Sequence, residues 1–586
     1  MLESIDLNSF HLFIWHIFCH IPFKIIPMRI LFVLLLIPFC ALSQISEVDS
    51  CFKDKGEIYF SFQASSIKQF NEISSIVSID HGASFTNAYA YANKREFKAF
   101  LNLEVDYRIE ENPGDAFTDL NMLLSLDQKQ INDWDFYPTY DAYVEMMYAF
   151  EENHPEICKV SSIGTSVDGR ELLVAKITDG LNQKEGEPRL LYTSSMHGDE
   201  ITGFVLSLRL IDYLLSNYNS MDHVTDLVNN VEIWINPLAN PDGAYTNNNN
   251  TVNGARRYNA NWVDLNRNYP DPEDGLHPDG NSYQDETLAF MAFADSCEFD
   301  ISSNFHGGAE VANYPWDTWS QYPADHNWWT HVMHEYADTA QAHSNSGYFN
   351  SFDDGVTNGY DWYEVDGGRQ DYMNYEKGCR EFTLELSDAK TPPGSQLPYY
   401  WDANYRSFLG YIKQSLYGLH GVVTDSITGE PLLAKVFIDG HDVDSSHVYS
   451  HLPVGDYHRY LSSDVYEVMF TADGYQTKTI STVSILNNET TLLDVQLVPT
   501  TIGLDELLEA SVKVYPQPAD DFVYIDDCPI GMEEFMLFDS SGRLVKHQYI
   551  KGSTQIKVDR DVLESGTYLL RFISNSTIFT KEIIFH

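Results

Sequence analysis

The period of the apolar positions changes along the chain, and each change marks a region. Gly56-Glu-Ile-Tyr-Phe-Ser-Phe62, Ile76 to Ile79 and Ala88 to Ala92 read as strands, Arg95 to Leu101 as a helix, and Leu103 to Ile109 alternates like a strand. A strand-helix-strand order used twice predicts a ferredoxin-like α+β module over residues 44–130; Asn112-Pro113-Gly114 opens its polar linker. From 133 to 415, strands at Leu172 to Ile177, Leu190 to Ser194, Val231 to Asn236, Asp300 to Phe305 and Phe382 to Leu386 alternate with helical patterns. One such pattern places Ile201, Phe204, Leu208, Ile211 and Leu215 on a single face at steps of three and four. The prediction is an α/β domain, a mixed sheet with helices on both faces. Residues 419–499 turn to short β runs separated by Gly, Asp and Pro. Residues 512–586 repeat that style from Val514-Tyr-Pro-Gln-Pro-Ala519 onward. Both predict small all-β sandwiches.

Residues 1–43 read as an export segment. Met28-Arg29 precedes an apolar run from Ile30 to Ile37, and Ala41-Leu42-Ser43 is a small-x-small cleavage site. Met28 begins a complete signal by itself, so it is a candidate true start. The run is too short to span a membrane comfortably, and no later stretch is long enough. A soluble, exported mature protein without a transmembrane anchor is expected. The formal net charge of −50 argues against nucleic-acid binding, which calls for a basic surface. It favours attraction of cationic ligands. Beyond Cys19 and Cys40 of the export segment stand Cys51, Cys158, Cys297, Cys379 and Cys528, without metal-type spacing. One or two disulfides fit an oxidising compartment.

Met196-His197-Gly198-Asp199-Glu200 sits where a strand hands over to a helix. An imidazole and a carboxylate three residues apart suit one Zn²⁺, with a third ligand from a distant strand end and a fourth position for water. His306 of Phe305-His306-Gly307-Gly308 lies at such a strand end. Asn266-Arg267 sets an amide beside a guanidinium, the usual partner of a carboxylate. Arg257 is a second candidate cation. Asp361-Trp-Tyr363 through Gly367-Gly-Arg369-Gln370-Asp-Tyr372 reads as a mobile binding loop. Glu385 places one carboxylate inside the apolar strand Phe382 to Leu386; such a charge is costly unless used, and near a metal it suits a general base.

Together the motifs H-G-D-E, N-P-L-A-N-P-D-G (Asn236 to Gly243), D-L-N-R-N-Y-P, F-H-G-G-A with N-Y-P-W-D (to Asp317), W-Y with G-G-R-Q-D-Y, and F-T-L-E-L resemble the zinc metallocarboxypeptidases. The resemblance is to the regulatory branch that includes carboxypeptidases D, E, M and N. It implies one Zn²⁺ held by His197, Glu200 and His306. Glu385 would be the general acid/base, and Arg257 would stabilise the oxyanion. Asn266 and Arg267 would grip the substrate's terminal carboxylate, and Tyr363 would close over it. Asp317 and Gln370 match positions that favour a basic final side chain. Arg369 and Tyr372 depart from the branch pattern; Arg369, beside Gln370, is expected to face away from the pocket. Residues 419–499 resemble the transthyretin-like domain of this branch at Gly429-Glu-Pro, Ala434-Lys-Val, Gly440-His-Asp and Gly455 to Arg459. Residues 512–586 resemble the sorting domain of the Bacteroidetes type IX secretion system at Val514 to Ala519, Asp539-x-x-Gly542 and Ser565 to Tyr568, with Gln517 where Asn is usual. The implied partners are peptide or protein C-termini and the secretion machinery.

The expected activity is removal of a C-terminal Lys or Arg from peptides outside the cell. Two other readings stay open: an N-acyl amino acid deacylase on the same metal frame, which the Arg257, Asn266, Arg267 and Tyr363 set argues against, and a catalytically silent binding or adhesion protein.

Overall fold

The computed structural model describes residues 48–53, 55–80, 85–115, 120–126, 133–345, 347–500, 513–526, 534–549, 555–561, 563–573 and 578–586. The export segment with Cys19, Met28 and Cys40, and Cys528, lie outside these residues. Two compact units form. One holds the chain up to Val423 with Pro431–Phe470 and Thr479–Val495; the other holds Thr424–Glu430, Thr471–Lys478 and Gln496–His586.

The first unit opens with β1 (Glu57–Phe62), α1 (Ile67–Ser74), β2 (Ser78–Ile79), β3 (Ala88–Asn93), α2 (Lys94–Leu101) and β4 (Tyr107–Ile109). The sheet order β2-β3-β1-β4 is the ferredoxin-like arrangement. Alternation gives the sheet two unlike faces. Ile58, Phe60, Phe62, Ala88, Ala90 and Ala92 pack with Phe70, Phe97 and Phe100. Tyr59 and Tyr91 lie on the other face, clustered with Tyr258 of the catalytic domain. Asn93 starts α2 with a capping box, reciprocated by Glu96. The strand expected from Leu103 is shorter, because the Leu103 and Glu104 N–H groups bond back to Phe100 and Leu101 carbonyls and extend the helix end as turns. The first helix of the expected strand-helix-strand order, for which the sequence gives no bounds, is α1, and Ser66 caps it.

A short parallel pair, β5 (Met122–Leu123) with β6 (Tyr137–Pro138), leads into α3 (Tyr140–Asn153). The main sheet comprises β7 (Cys158–Thr165), β8 (Glu171–Ile177), β9 (Arg189–Ser194), β10 (Glu232–Asn236), β11 (Ile301–His306), β12 (Ala309–Tyr314), β13 (Val356–Asn358) and β14 (Arg380–Ser387). Its order is β13-β12-β14-β11-β9-β10-β8-β7. The centre, β14-β11-β9-β10, is parallel. Antiparallel β7, β8 and β12 flank it.

The main helices are α4 (Thr202–Asn217), α5 (Asp285–Cys297), α6 (His326–Ala342), α7 (Gly359–Trp362), α8 (Arg369–Lys377) and α9 (Leu397–Gln414). Leu173, Leu190, Tyr192, Ile233 and Phe382 share one core with Tyr143 of α3, Phe204 and Leu208 of α4, Trp329 of α6 and Phe408 of α9. Their strand neighbours Val174, Leu191 and Trp234 face the other way, onto Phe290 and Phe293 of α5 and Tyr372 and Met373 of α8. A sheet buried on both faces is what near-continuous apolar strands require.

Beyond α9 the regular structure of the described residues is all β, with strands at Gly418–Asp425, Lys435–Ile438, Asp456–Arg459, Asp464–Thr471, Lys478–Ile485 and Thr490–Leu492. The C-terminal strands form a three-stranded and a four-stranded antiparallel sheet. Val523, Ile525, Phe535, Leu537, Ile556, Val558 and Leu570 form their shared core. None of the described cysteines, Cys51, Cys158, Cys297 and Cys379, forms a disulfide. No helix of the described residues is long and apolar enough to cross a membrane.

Candidate active site and metal centre

The parallel centre of the sheet aligns its C-terminal strand ends, where open α/β sheets bind ligands. His197 follows the end of β9, and His306 closes β11. Glu385 on β14 is the parallel register partner of His306. The loop bearing His197 and Glu200 is pinned from below: Asn240 donates to the Met196 carbonyl at 3.0 Å and caps Gly243, and Ser195 donates to the Glu200 carbonyl. Gly198 must be glycine, because a Cβ there would sit 2.3 Å from the Gly243 carbonyl carbon.

Three donor atoms converge. Glu200 Oε2 lies 2.9 Å from His197 Nδ1 and 2.9 Å from His306 Nδ1, and the two Nδ1 atoms are 3.1 Å apart. All three residues are at most 3% exposed. Burial pushes the His306 imidazole down to about 4, outweighing the pull of Glu200, so it is neutral at ordinary pH, as a ligand must be. His197 turns Nε2 to Asp264 Oδ1 at 3.1 Å, which leaves its Nδ1 lone pair facing Glu200 and His306. Two nitrogens and one oxygen at one point are a zinc donor set, and His197, Glu200 and His306 together can hold one ion.

Around this point stand the other expected residues. Arg257 donates Nε to Asp264 at 2.8 Å and Nη1 to Glu200 Oε1 at 3.5 Å. Burial alone would raise Asp264, but Arg257 and His197 hold it well below the carboxylate range. Glu385 is pushed well up by burial and by the Glu200 carboxylate, and its Oε2 has no hydrogen-bond partner. Arg267 donates Nη1 to the Asn266 carbonyl while Nη2 is buried without a partner. Tyr363, after α7, and Asn266 line the same cleft as Asp317 and Glu385. Gln370 donates to Asp317 Oδ1 at 3.0 Å and Asn313 donates to it at 3.1 Å. Burial pushes Asp317 up to about 7.

Two expectations change. The stretch from Asp361 to Tyr372 is not one loop: α7 and the start of α8 shape it. Arg369 does point away from Asp317, yet it does not face solvent. It is buried against Glu381 at 2.9 Å and Thr193 at 2.6 Å. A helical start, not an extended one, sets its direction.

Residues not foreseen complete the surroundings. Lys390 Nζ donates to Glu200 Oε1 at 2.8 Å and pairs with Asp80 Oδ1 at 2.9 Å. Its one sequence signal is a lysine just past the end of a buried strand. Ile79 and Asp80 of the N-terminal module line the cleft with His197, Glu200 and Arg257, leaving about 30 Å³ of free space.

Residues 143–407 match the zinc carboxypeptidase family, and residues 513–586 match the secretion system C-terminal sorting domain. Carboxypeptidase SOL1 of Arabidopsis thaliana is 36% identical over 383 residues, covering 64% of this chain and 75% of that protein. The human carboxypeptidase N catalytic chain is 33% identical over 401 residues, 61% of this chain and 85% of its own. Mouse carboxypeptidase D is 35% identical over 340 residues, 56% of this chain but only 24% of its own length. Carboxypeptidase A from Helicoverpa armigera aligns in three dimensions with a TM-score of 0.47 at 17% identity, over 61% of this chain and 97% of its own. The chain belongs to the zinc carboxypeptidase family. It is a zinc-dependent metallocarboxypeptidase, exported to the cell surface or beyond by its C-terminal sorting domain.

Proposed function

We propose that residues 133–415 remove a C-terminal Lys or Arg from peptides, with His197, Glu200 and His306 holding one Zn²⁺. The observation that carries this reading is the convergence of His197 Nδ1, Glu200 Oε2 and His306 Nδ1 beside the unpartnered Glu385 Oε2. Bound there, Zn²⁺ supplies a Lewis acid that polarises a carbonyl and acidifies water. Glu385 takes the proton of the attacking water at Oε2 and returns it to the leaving amine. Arg257 offers its guanidinium to the developing oxyanion. Arg267 meets the substrate's terminal carboxylate with the Nη2 that has no partner in the free protein, Asn266 assists, and Tyr363 closes over the pair. Asp317, oriented by Gln370, receives the basic side chain. On the same reading residues 1–43 are an export signal, 44–130 a prodomain-like module, 419–499 a transthyretin-like domain, and 512–586 the segment read by the type IX machinery.

Because Ile79 and Asp80 line the cleft, on this reading the N-terminal module moves aside before a peptide binds. The test is therefore release of Lys from a peptide ending in free lysine, before and after limited proteolysis, with and without a chelator. Chelator-sensitive release of one residue is expected, and the C-terminally amidated peptide should be slower by on the order of 10²-fold or more. No chelator-sensitive release in either form, or equal cleavage of acid and amide, would refute the assignment.

A further inference from the structure

We propose that the N-terminal module, while docked, tightens the metal centre: Ser78, Asp80 and Tyr91 brace the residues that stand behind His197 and Glu200. The inference rests on the zinc reading above and adds to it. Behind His197 stands Asp264, whose Oδ2 accepts both Arg257 Nε at 2.8 Å and Ser78 Oγ at 2.5 Å. Behind Glu200 stands Lys390. Glu200 divides its oxygens: Oε2 faces the two imidazoles, and Oε1 accepts from Lys390. Asp80 holds the far side of that ammonium, and the Tyr91 ring lies 4.8 Å from it. The Tyr91 hydroxyl donates to Asp199 Oδ2 at 2.8 Å, itself 3.9 Å from Lys390. Tyr59 in turn donates to Asp80 at 2.9 Å. Every side chain in this shell is buried. A flexible lysine bonded to Glu200 alone would hold it loosely; anchored by Asp80 and Tyr91 it fixes the carboxylate's rotation. Partners of this kind typically set metal affinity by ~10–100-fold.

Bracing differs from mere coverage. A cover slows the passage of zinc in both directions and leaves the equilibrium unchanged, whereas a brace changes the equilibrium itself. The test is the equilibrium Kd for Zn²⁺, by competition with a chromophoric chelator approached from both the apo and the loaded protein, in the full chain. Asp80→Asn and Lys390→Met should each weaken binding ~10–100-fold, Ser78→Ala and Tyr91→Phe by less, and Lys390→Arg should recover part of the loss. In the Lys390→Met background Asp80→Asn should add almost nothing, because the two act through one contact. Glu110→Gln, on the module's bond to Ser61, should change nothing. Lys390 belongs to the catalytic domain, so its variants report even if an Asp80 variant disturbs the module's folding. Zinc affinities within twofold of wild type in both Asp80→Asn and Lys390→Met would overturn the brace while leaving the carboxypeptidase reading intact. A wild-type chain that takes up no zinc would overturn both.

Discussion

The sheet of the catalytic region and the C-terminal β module solve the problem of charge in opposite ways. The C-terminal module keeps an apolar core of Val523, Ile525, Phe535, Leu537 and Leu570 and leaves its ion pairs, such as Arg543 with Asp539 and Lys546 with Asp561, at the surface. The catalytic region buries Glu200, Arg257, Asp264, Lys390, Arg369 and Glu381. Buried charge is costly unless paired or used. A region that tolerates so much of it is organised around chemistry; among the described residues of the C-terminal module no charged side chain is buried.

The contrast can be broken most sharply at Glu385. Glu385→Gln removes a proton acceptor and little volume, so turnover should fall by ~10²–10⁴-fold while zinc content, measured by metal analysis, is unchanged. Near-wild-type turnover would mean that this buried carboxylate is not used. Next comes a charge that is buried but paired away from the site. Arg369→Met strands Glu381 in the interior and should cost about 3–5 kcal/mol, read as a lower unfolding transition of the catalytic region by calorimetry. Lys546→Ala in the C-terminal module should cost under about 1 kcal/mol. Equal costs would erase the distinction between the two regions. The smallest effect concerns selectivity. Asp317, pushed up to about 7 by burial, is neutral below that pH and anionic above it. The preference for C-terminal Lys over Leu should therefore grow as pH rises through about 7, and Asp317→Asn should flatten that rise. A preference independent of pH in the unaltered chain would place the basic side chain elsewhere.

Much of the catalytic frame was legible because its signals are local. His197 and Glu200 sit three residues apart at a strand-to-helix junction, and Glu385 is the one charge in the apolar run Phe382 to Leu386. The ferredoxin-like order of the N-terminal module followed from period alone. What could not be read was what the tertiary fold brings from afar. Lys390 lies 190 residues from Glu200, and Ser78 lies 186 from Asp264; Lys390 is marked only by its place just past a buried strand, and Ser78 by nothing local. For Arg369 the expectation is only that it faces away from the pocket; that it is buried against Glu381 and Thr193 follows from the first turn of α8. The tyrosine face of the module, Tyr59 and Tyr91, reads in sequence as ordinary β residues and becomes meaningful only against Tyr258.

The spacing of the donor atoms also sets a timetable for the molecule's birth. His306 lies 109 residues after His197, on a strand that pairs with β9 only once the sheet is assembled. A chain still emerging from synthesis carries a two-ligand stub, and long-range strand pairing is among the slower events of folding. Because the binding free energy of such an ion is realised only when its ligands are brought together, metal loading belongs to the end of folding. The zinc available to this protein is then the zinc of whichever compartment it finishes folding in.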